Sequence, residues 1–234
     1  MYKRVLIKLS GEALGENGIL FDFGKINQVA EAIVAVGRMG VEIALVLGGG
    51  NIWRGRMGPS AHMDAVTADH MGMLGTAINS LAMQDALERA GAETRVLSAV
   101  EMTRFAEPYI RRRAVRHLEK GRIVLFACGT GNPFFSTDMA AALRGVEISA
   151  DAILFAKNVD GVYDDDPNKN PNAVFLPEVS YDEAQRRDLR VIDAAAFTVC
   201  KENAVPAVHV FGLSEPANIR RVVSGERLGS LVRP

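Results

Sequence analysis

Cysteine, tryptophan and long apolar runs are scarce in this chain of 234 residues. The two cysteines, Cys128 and Cys200, form no CxxC pair, so no zinc site is indicated and reduced core thiols are expected. The longest apolar runs, such as 123–128, reach about a third of the ~20 residues that a membrane-spanning helix needs. Residues 1–9 are too short and too charged for a secretory signal. We therefore expect a protein of the cytoplasm with no membrane partner.

An excess of charge of one sign is also absent. Lys and Arg number 27 and Asp and Glu number 28, which leaves a formal net charge of −1. That balance argues against a surface built as a whole to hold nucleic acid or an anionic membrane. One basic run has few aromatic neighbours, and we interpret it as a solvated helix face, a subunit contact or an effector-phosphate site rather than a nucleic-acid patch. It comprises Arg111, Arg112, Arg113, Arg116, Lys120 and Arg122.

Short apolar bursts alternate with longer segments of helical period, which is typical of βαβ units. Strands are predicted over Val5–Leu9, Glu42–Leu47, Thr94–Leu97, Ile123–Ala127, Ala152–Ala156, Ala207–Phe211 and Ser230–Val232. Helices are predicted around 26–34 and over Ala65–Ala90, Tyr109–Lys120, Thr137–Arg144, Tyr181–Leu189, Ala194–Asn203 and Ala217–Ser224, with a capping box over 180–183. The stretch Gly161–Pro177 is a surface loop or a short hairpin. No repeat or low-complexity tract divides the chain, so we expect one domain over residues 1–234.

The usual motifs of nucleotide and hydrolase sites are missing. There is no GxxxxGK[ST], which excludes a P-loop enzyme. The turn that begins at Gly129 departs from GxGxxG because Phe134 stands at the third glycine position, which weakens a dinucleotide interpretation. Neither HExxH nor GxSxG occurs, so metalloprotease chemistry and a nucleophile elbow have little support.

Three glycine-rich turns follow three of the predicted strands. They are Ser10-Gly11-Glu12-Ala13, Gly48-Gly49-Gly50-Asn51 and Gly129-Thr130-Gly131-Asn132. In an open α/β sheet, ligands bind at the carboxyl ends of the strands. Glycines there let backbone N–H groups close on phosphate oxygens, and the following helix adds its positive end. One such turn is often only a tight turn, but three together favour an anion site.

Two cations lie close to these turns in sequence. Lys8 is inside the first predicted strand, where an ammonium is costly unless it emerges at the end of the sheet and meets an anion. The alternative is an edge lysine that extends to solvent. Arg54 follows the triple glycine and could reach the same phosphates.

Three carboxylates accompany these cations, each with a simpler alternative. Asp138 and Asp193 precede or open alanine-rich helices, where either could be only an N-cap. Asp69 could contact a ligand or lie on a solvated helix face. Phosphoryl transfer needs positioning and charge neutralisation more than a covalent nucleophile, and this set of residues suits it. The residues alone therefore indicate a phosphotransferase or an anion-binding α/β protein.

Taken together, these motifs resemble the amino-acid-kinase superfamily, and within it the UMP-kinase branch. The resemblance rests on YKRVLIKLSGEAL, GGGNIWRG, DHMGMLGTAINSLAMQDAL, GTGNPFFSTD, KNVDGVYDDDP and VIDAAAFT, and it covers essentially the whole chain. It implies a three-layer α/β/α sandwich with a mostly parallel central sheet. It also implies transfer of the γ-phosphoryl group of ATP–Mg²⁺ to UMP, giving UDP and ADP in pyrimidine nucleotide biosynthesis.

The resemblance also implies roles for individual residues. For ATP it implies Lys8, Leu9, Ser10, Gly11, Gly50, Arg54, Asn158, Tyr163 and Asp166. For UMP it implies Gly49, Asp69 and the loop Thr130, Gly131, Asn132, Pro133, Phe134, Phe135, Ser136 and Thr137, with Asp69 on the ribose hydroxyls. Asp138 and Asp193 would orient Lys8 and the reacting groups, and Lys8, Arg54, Asp138 and Asp193 form the implied catalytic set.

Assembly and regulation are implied in the same way. Members of the branch are homohexamers that respond to GTP and UTP. The part before residue 150 would mainly bind UMP and contact other subunits, and the part after it would mainly bind ATP. Two alternatives stay open: a carboxylate or carbamate kinase of the same fold, and a nucleotide-sensing regulator without catalysis.

Overall fold

A computed structural model describes residues 2–15, 19–53, 62–189 and 191–234. The strands are β1 (Arg4–Leu9), β2 (Glu42–Leu47), β3 (Thr94–Ser98), β4 (Glu107–Pro108), β5 (Ile123–Ala127), β6 (Ala152–Lys157), β7 (Val162–Tyr163), β8 (Phe175–Leu176), β9 (Glu178–Ser180), β10 (Val208–Gly212) and β11 (Ser230–Arg233). The helices are α1 (Phe23–Gly37), α2 (Ala65–Arg89), α3 (Arg111–Glu119), α4 (Thr137–Glu147), α5 (Tyr181–Arg186), α6 (Ala194–Glu202) and α7 (Asn218–Val223), with a short 3-10 helix at Gly11–Ala13.

A nine-stranded sheet forms the centre, in the order β4-β3-β5-β2-β1-β6-β10-β11-β9. Its strands pair in parallel, except that β10 and β11 run antiparallel. The middle strands are almost wholly apolar because helices cover both faces, as in other parallel sheets. The carboxyl ends of β1, β2, β5 and β6 therefore lie along one edge of the sheet.

Two apolar clusters lie on opposite faces of this sheet, because successive side chains of a strand point to opposite sides. Val5, Ile7 and Leu9 of β1 join the cluster that contains α1, α2 and α7. Leu6 joins the cluster that contains α3, α4, α5 and α6. The three-layer α/β/α fold is thereby confirmed. Within the described parts of the chain, no helix is long and apolar enough to cross a membrane.

The predicted long elements are present, and the differences concern short ones. The stretch Gly161–Pro177 contains a hairpin in which β7 and β8 pair antiparallel, apart from the main sheet. The strands β4 and β9 were not predicted, because strands of two or three residues are too short to show an alternation of apolar and polar side chains. Helix α5 ends at Arg186 rather than at Leu189, because Asp188 has a positive φ of 49° and the chain turns there.

One buried histidine gives the fold a pH dependence. His209 in β10 is 8% exposed, and its Nε2 lies 2.7 Å from the Tyr2 hydroxyl oxygen. Burial lowers the pKa of His209 from 6.5 to about 4. The unfolded chain therefore takes up a proton near pH 6.5 that the folded chain does not accept until about pH 4. Stability is lost as the pH falls through that window.

We expect this group to lower the free energy of unfolding by about 2 kcal/mol between pH 7 and pH 5. Urea unfolding at one fixed protein concentration measures the effect in the wild type and in His209→Gln, which should lack that part of the pH dependence. The control is His70→Gln, at an exposed position of α2, which should retain it. Identical pH dependence in the wild type and His209→Gln would contradict this prediction.

Candidate active site

The glycine-rich turns meet at the carboxyl edge of the sheet. The Gly48 N–H donates to the Leu9 carbonyl over 2.9 Å, which joins the ends of β2 and β1. A Cβ atom at Gly11 would lie 2.7 Å from Asn51 Oδ1 and 2.8 Å from the Gly50 nitrogen. Position 11 therefore admits only glycine, and the first two turns form one continuous backbone surface with Ser10 half-buried beside them.

Helix α2 holds the second and third turns in place. The buried Asn79 side chain donates to the Gly48 carbonyl over 2.6 Å and to Asn51 Oδ1 over 2.7 Å. Thr76 Oγ1 accepts the Cys128 N–H over 2.9 Å, at the end of β5. The sequence motifs described above do not include a role for Thr76 or Asn79. Their spacing of three residues on a helix face that also carries Gly75 was the signal that could have found them.

A cavity of about 410 Å³ lies between these turns and the first half of α2. Its walls are Gly49, Gly50, Trp53, Asp69, Gly72, Met73, Thr76, Cys128, Gly129, Thr130, Asn132, Phe135 and Thr137. Many of the residues expected to bind UMP are therefore in one place. The others, Gly131, Pro133, Phe134 and Ser136, belong to the same loop without lining the cavity.

The loop 130–137 is held in a strained shape by Asp69. Phe134 has a positive φ of 69°, which is unfavourable for a bulky residue. Its side chain is 73% exposed. Its N–H donates to Asp69 Oδ2 over 2.7 Å, and this charged acceptor offsets the strain. Gly131, with a φ of 83°, passes close to Ala99, and its N–H donates to the Cys128 carbonyl over 2.9 Å. Asp69 therefore contacts the loop and lines the cavity, and its role as a ligand contact stays a prediction.

One buried carboxylate bridges two lysines beside the cavity. Lys8 Nζ lies 2.8 Å from Asp138 Oδ1, and Lys157 Nζ lies 2.7 Å from Asp138 Oδ2. Lys8 and Asp138 are 7% and 8% exposed. Burial raises the pKa of Asp138, but the attraction of the two lysines outweighs it and the pKa lies below its usual range. Asp138 is therefore a carboxylate at neutral pH.

The two candidate N-cap carboxylates have different roles. Ser136 caps α4 by accepting the Met139 N–H, so Asp138 is not the cap. Asp193 does cap α6, by accepting the Ala195 N–H over 2.9 Å. Its other oxygen accepts the Ser136 hydroxyl over 2.6 Å, which ties α6 to the end of the loop 130–137. The described contacts of Asp193 do not include Lys8, although its charge attracts Lys157.

The residues expected to hold the ATP nucleoside lie beyond β6, where Asn158 is exposed and Tyr163 and Asp166 are half-buried. Asn158 donates to Glu12, Tyr163 donates to Asp160 over 2.9 Å, and Asp166 accepts the Asn168 N–H over 3.0 Å. None of these three residues lines the cavity. Arg54 lies outside the described residues. The ligand roles of all these positions stay predictions.

Acidic side chains do not gather into a metal cage in the described ranges, where no group of three or more His, Cys, Asp or Glu could hold an ion. Both oxygens of Asp138 face lysines. Magnesium keeps several waters and is commonly bound through substrate phosphates. We therefore expect Mg²⁺ to enter the site with ATP, as part of the substrate.

Comparison with known proteins decides the family. The sequence matches the amino acid kinase family over residues 3–212. This chain belongs to the amino acid kinase family. Among solved amino acid kinase structures, it is similar to UMP kinase from Bacillus anthracis, with 41% identity, a TM-score of 0.95 and coverage of 99% of this chain and 96% of that one.

Two further solved structures resemble this amino acid kinase. UMP kinase from Ureaplasma parvum is 38% identical, with a TM-score of 0.93 and complete coverage of both chains. Uridylate kinase from Archaeoglobus fulgidus is 25% identical, with a TM-score of 0.76 and coverage of 97% of this chain and 99% of that one.

The Asp69 contact gives a prediction for the loop. We expect Asp69→Ala to speed amide hydrogen exchange at Phe134 about tenfold or more, because a charged acceptor that holds a strained residue is lost. Exchange measured by NMR or by mass spectrometry of the peptide 130–137 checks it. Asp85→Ala, at an exposed position of the same helix, should leave this exchange unchanged. Unchanged protection in Asp69→Ala would show that the loop is held by other contacts.

Proposed function

We propose that this amino acid kinase is a UMP kinase, which transfers the γ-phosphoryl group of ATP–Mg²⁺ to UMP and gives UDP and ADP. The observation that carries the proposal is the similarity of essentially the entire chain to the UMP kinases of Bacillus anthracis and Ureaplasma parvum. The cavity supports it, because its volume of about 410 Å³ is within the range of small-molecule sites.

On the acceptor side, UMP occupies this cavity. Backbone groups of Gly49 and of the loop 130–137 surround its phosphate and base, and Asp69 accepts from the ribose hydroxyls. The same carboxylate accepts the Phe134 N–H, so the ribose contact and the loop are set by one side chain. No general base is needed, because the second pKa of a phosphate monoester is about 6 and the UMP phosphate is ionised near neutral pH.

On the donor side, the triphosphate of ATP lies along the first two turns, with Lys8, Leu9, Ser10, Gly11, Gly50 and Arg54, and the nucleoside meets Asn158, Tyr163 and Asp166. Charge spreads over the oxygens of the transferring group in the transition state. The Lys8 ammonium, fixed by Asp138, neutralises part of that charge without having to reorganise. Bound Mg²⁺ neutralises further phosphate charge.

The test is ADP release from ATP–Mg²⁺ with UMP, CMP, dUMP, AMP, acetylglutamate and aspartate offered separately. We expect strong turnover with UMP. Turnover with acetylglutamate or aspartate instead would identify a carboxylate kinase of the same fold. Absence of turnover with every acceptor, in a folded protein that binds ATP, would favour a nucleotide-sensing regulator.

The same assay tests the role of Lys8. We expect Lys8→Ala to lower kcat by roughly 10² or more and to leave UMP affinity nearly unchanged, because the lost charge acts on the transferring group. Lys3→Ala is the matched control. Lys3 is exposed and immediately precedes β1, at the end of the strand opposite to Lys8. A loss of only a few-fold in Lys8→Ala would remove this lysine from the centre of the mechanism.

Assembly and regulation complete the proposal. We infer a homohexamer that works in the cytoplasm, supplies pyrimidine nucleotide biosynthesis and responds to GTP and UTP. The support for self-association is an exposed apolar stripe on α2, formed by Leu74 and Ile78, which are 51% and 48% exposed. These two residues are one helical turn apart and do not line the cavity. Exposed apolar side chains that share a face indicate a contact surface.

We expect the double substitution of Leu74→Asp and Ile78→Asp to shift the protein from its oligomer to smaller species, because two charges would be buried unpaired at the contact. Sedimentation velocity at several concentrations measures the change. Val174→Asp, at an exposed apolar position far along the chain, is the control. A wild type that sediments as a monomer would contradict the proposed assembly. An unaltered oligomer in the double variant would show that Leu74 and Ile78 do not form the subunit contact.

A further inference from the structure

A hairpin that carries two of the expected nucleoside contacts stands apart from the central sheet. Its strands β7 and β8 have two residues each and pair antiparallel through Val162–Leu176 and Tyr163–Phe175. Tyr163 belongs to β7, and Asp166 lies in the connection to β8. A two-stranded ribbon is at best marginally stable by itself. The place of this hairpin therefore depends on the contacts that anchor it to the sheet.

One buried hydroxyl bonds to both strands of the hairpin. Ser230 Oγ accepts the Val162 N–H over 2.8 Å and donates to the Leu176 carbonyl over 2.5 Å. Val162 and Leu176 lie opposite each other, so a single side chain holds both members of one cross-strand pair. Ser230 is fully buried. A hydroxyl carries one donor and two acceptor sites, so it can serve both backbone groups at once.

The central sheet fixes the position of this hydroxyl. Ser230 is the first residue of β11 and pairs with Val210 of β10. The next residue, Leu231, donates its N–H to the Pro177 carbonyl over 3.0 Å, directly after β8. The start of β11 therefore contacts the hairpin through one side chain and, just beyond β8, the chain that follows it through one backbone bond.

Gly161, immediately before β7, shows how closely the hairpin approaches Ser230. A Cβ atom at position 161 would lie 2.6 Å from Ser230 Oγ and 2.5 Å from Cε2 of Phe175. The contact therefore has no room for an additional carbon atom. Val162 is also buried in the apolar cluster on the face of α3, α4, α5 and α6. Because this burial remains, loss of the Ser230 hydroxyl should shift the hairpin rather than unfold the protein.

We propose that Ser230 is a positioning residue for the nucleoside of ATP, which acts through the hairpin of β7 and β8. The inference rests on the proposed function for the identity of the nucleotide. Asn158 follows β6 directly, whereas Tyr163 and Asp166 are placed by the hairpin. The hydroxyl that anchors the hairpin therefore sets where these two residues lie relative to Asn158. Since Ser230 is fully buried, it acts on the nucleotide only through them.

Calorimetric titration without any acceptor tests this inference, with ATP and inorganic tripolyphosphate as the probes. We expect Ser230→Ala to weaken ATP binding about tenfold, because the apparent affinity falls with the fraction of molecules in which the hairpin is in place. Binding of tripolyphosphate, which has no nucleoside, should stay within about twofold of the wild type. Amide hydrogen exchange of the peptide 161–177 should become faster, because the Val162 N–H loses its acceptor.

Three further variants separate positioning from a general loss of stability. Ser230→Thr keeps the hydroxyl and should retain most of the ATP affinity. Gly161→Ala keeps Ser230 but forces the hairpin away from it, so this variant should weaken ATP binding in the same way. It also replaces Ser230→Ala if that variant does not fold. Ser80→Ala removes another fully buried hydroxyl, which donates to the Thr76 carbonyl within α2, and should bind both probes like the wild type.

Three results would overturn the inference. The first is unchanged ATP affinity in Ser230→Ala. The second is equal weakening of ATP and tripolyphosphate, which would indicate a general structural role. The third is weaker ATP binding with unaltered hydrogen exchange in the peptide 161–177, since the hairpin would then not transmit the effect.

Failure of the inference can be told from failure of the proposed function. If the wild type forms UDP and Ser230→Ala binds ATP normally, only the inference is wrong. If binding of ATP depends on Ser230 and no UDP forms, only the proposed acceptor is wrong. The titrations contain no UMP, so the two questions are answered by separate measurements.

Discussion

The buried ammonium of Lys8 is the constraint on which the site depends. A lysine in the middle of an apolar sheet is unfavourable without a carboxylate, and Asp138 provides it from the first turn of α4. Ser136 caps that helix, so the Asp138 side chain is free to turn inward. Lys157 then meets the same carboxylate from β6. One carboxylate thereby joins two strands and a helix at the edge where the turns meet.

Helix α2 connects this edge to the rest of the molecule. One part of its surface carries Thr76 and Asn79, which hold the glycine-rich turns. Met83 and other apolar residues of the helix pack in the core, whereas Leu74 and Ile78 remain exposed. Met73 lines the cavity and Leu74 follows it directly on the exposed side. A subunit contact through Leu74 would therefore involve the residue next to Met73 of the cavity wall.

Local signals predicted most of the elements, for identifiable reasons. Apolar runs bounded by glycine correctly predicted β2 and β5 to the residue. The predicted N-cap at the start of α5 is confirmed, since the Ser180 hydroxyl accepts the Glu183 N–H. The same kind of signal was ambiguous for Asp138 and Asp193, both of which stand at the start of alanine-rich helices. One is a buried partner of two lysines and the other is a cap, and no local pattern separates them.

The sequence by itself determined the parallel α/β architecture, the three turns and the family, because these depend on residue patterns within short segments. Only the tertiary structure decided which side chains meet. Lys8 and Lys157 are far apart in sequence, and they share Asp138 because β1 lies next to β6 in the sheet. Asn79 reaches Gly48 because α2 packs across the ends of the strands. Strand order and helix packing arise from burial of the whole core, and no single segment contains that information.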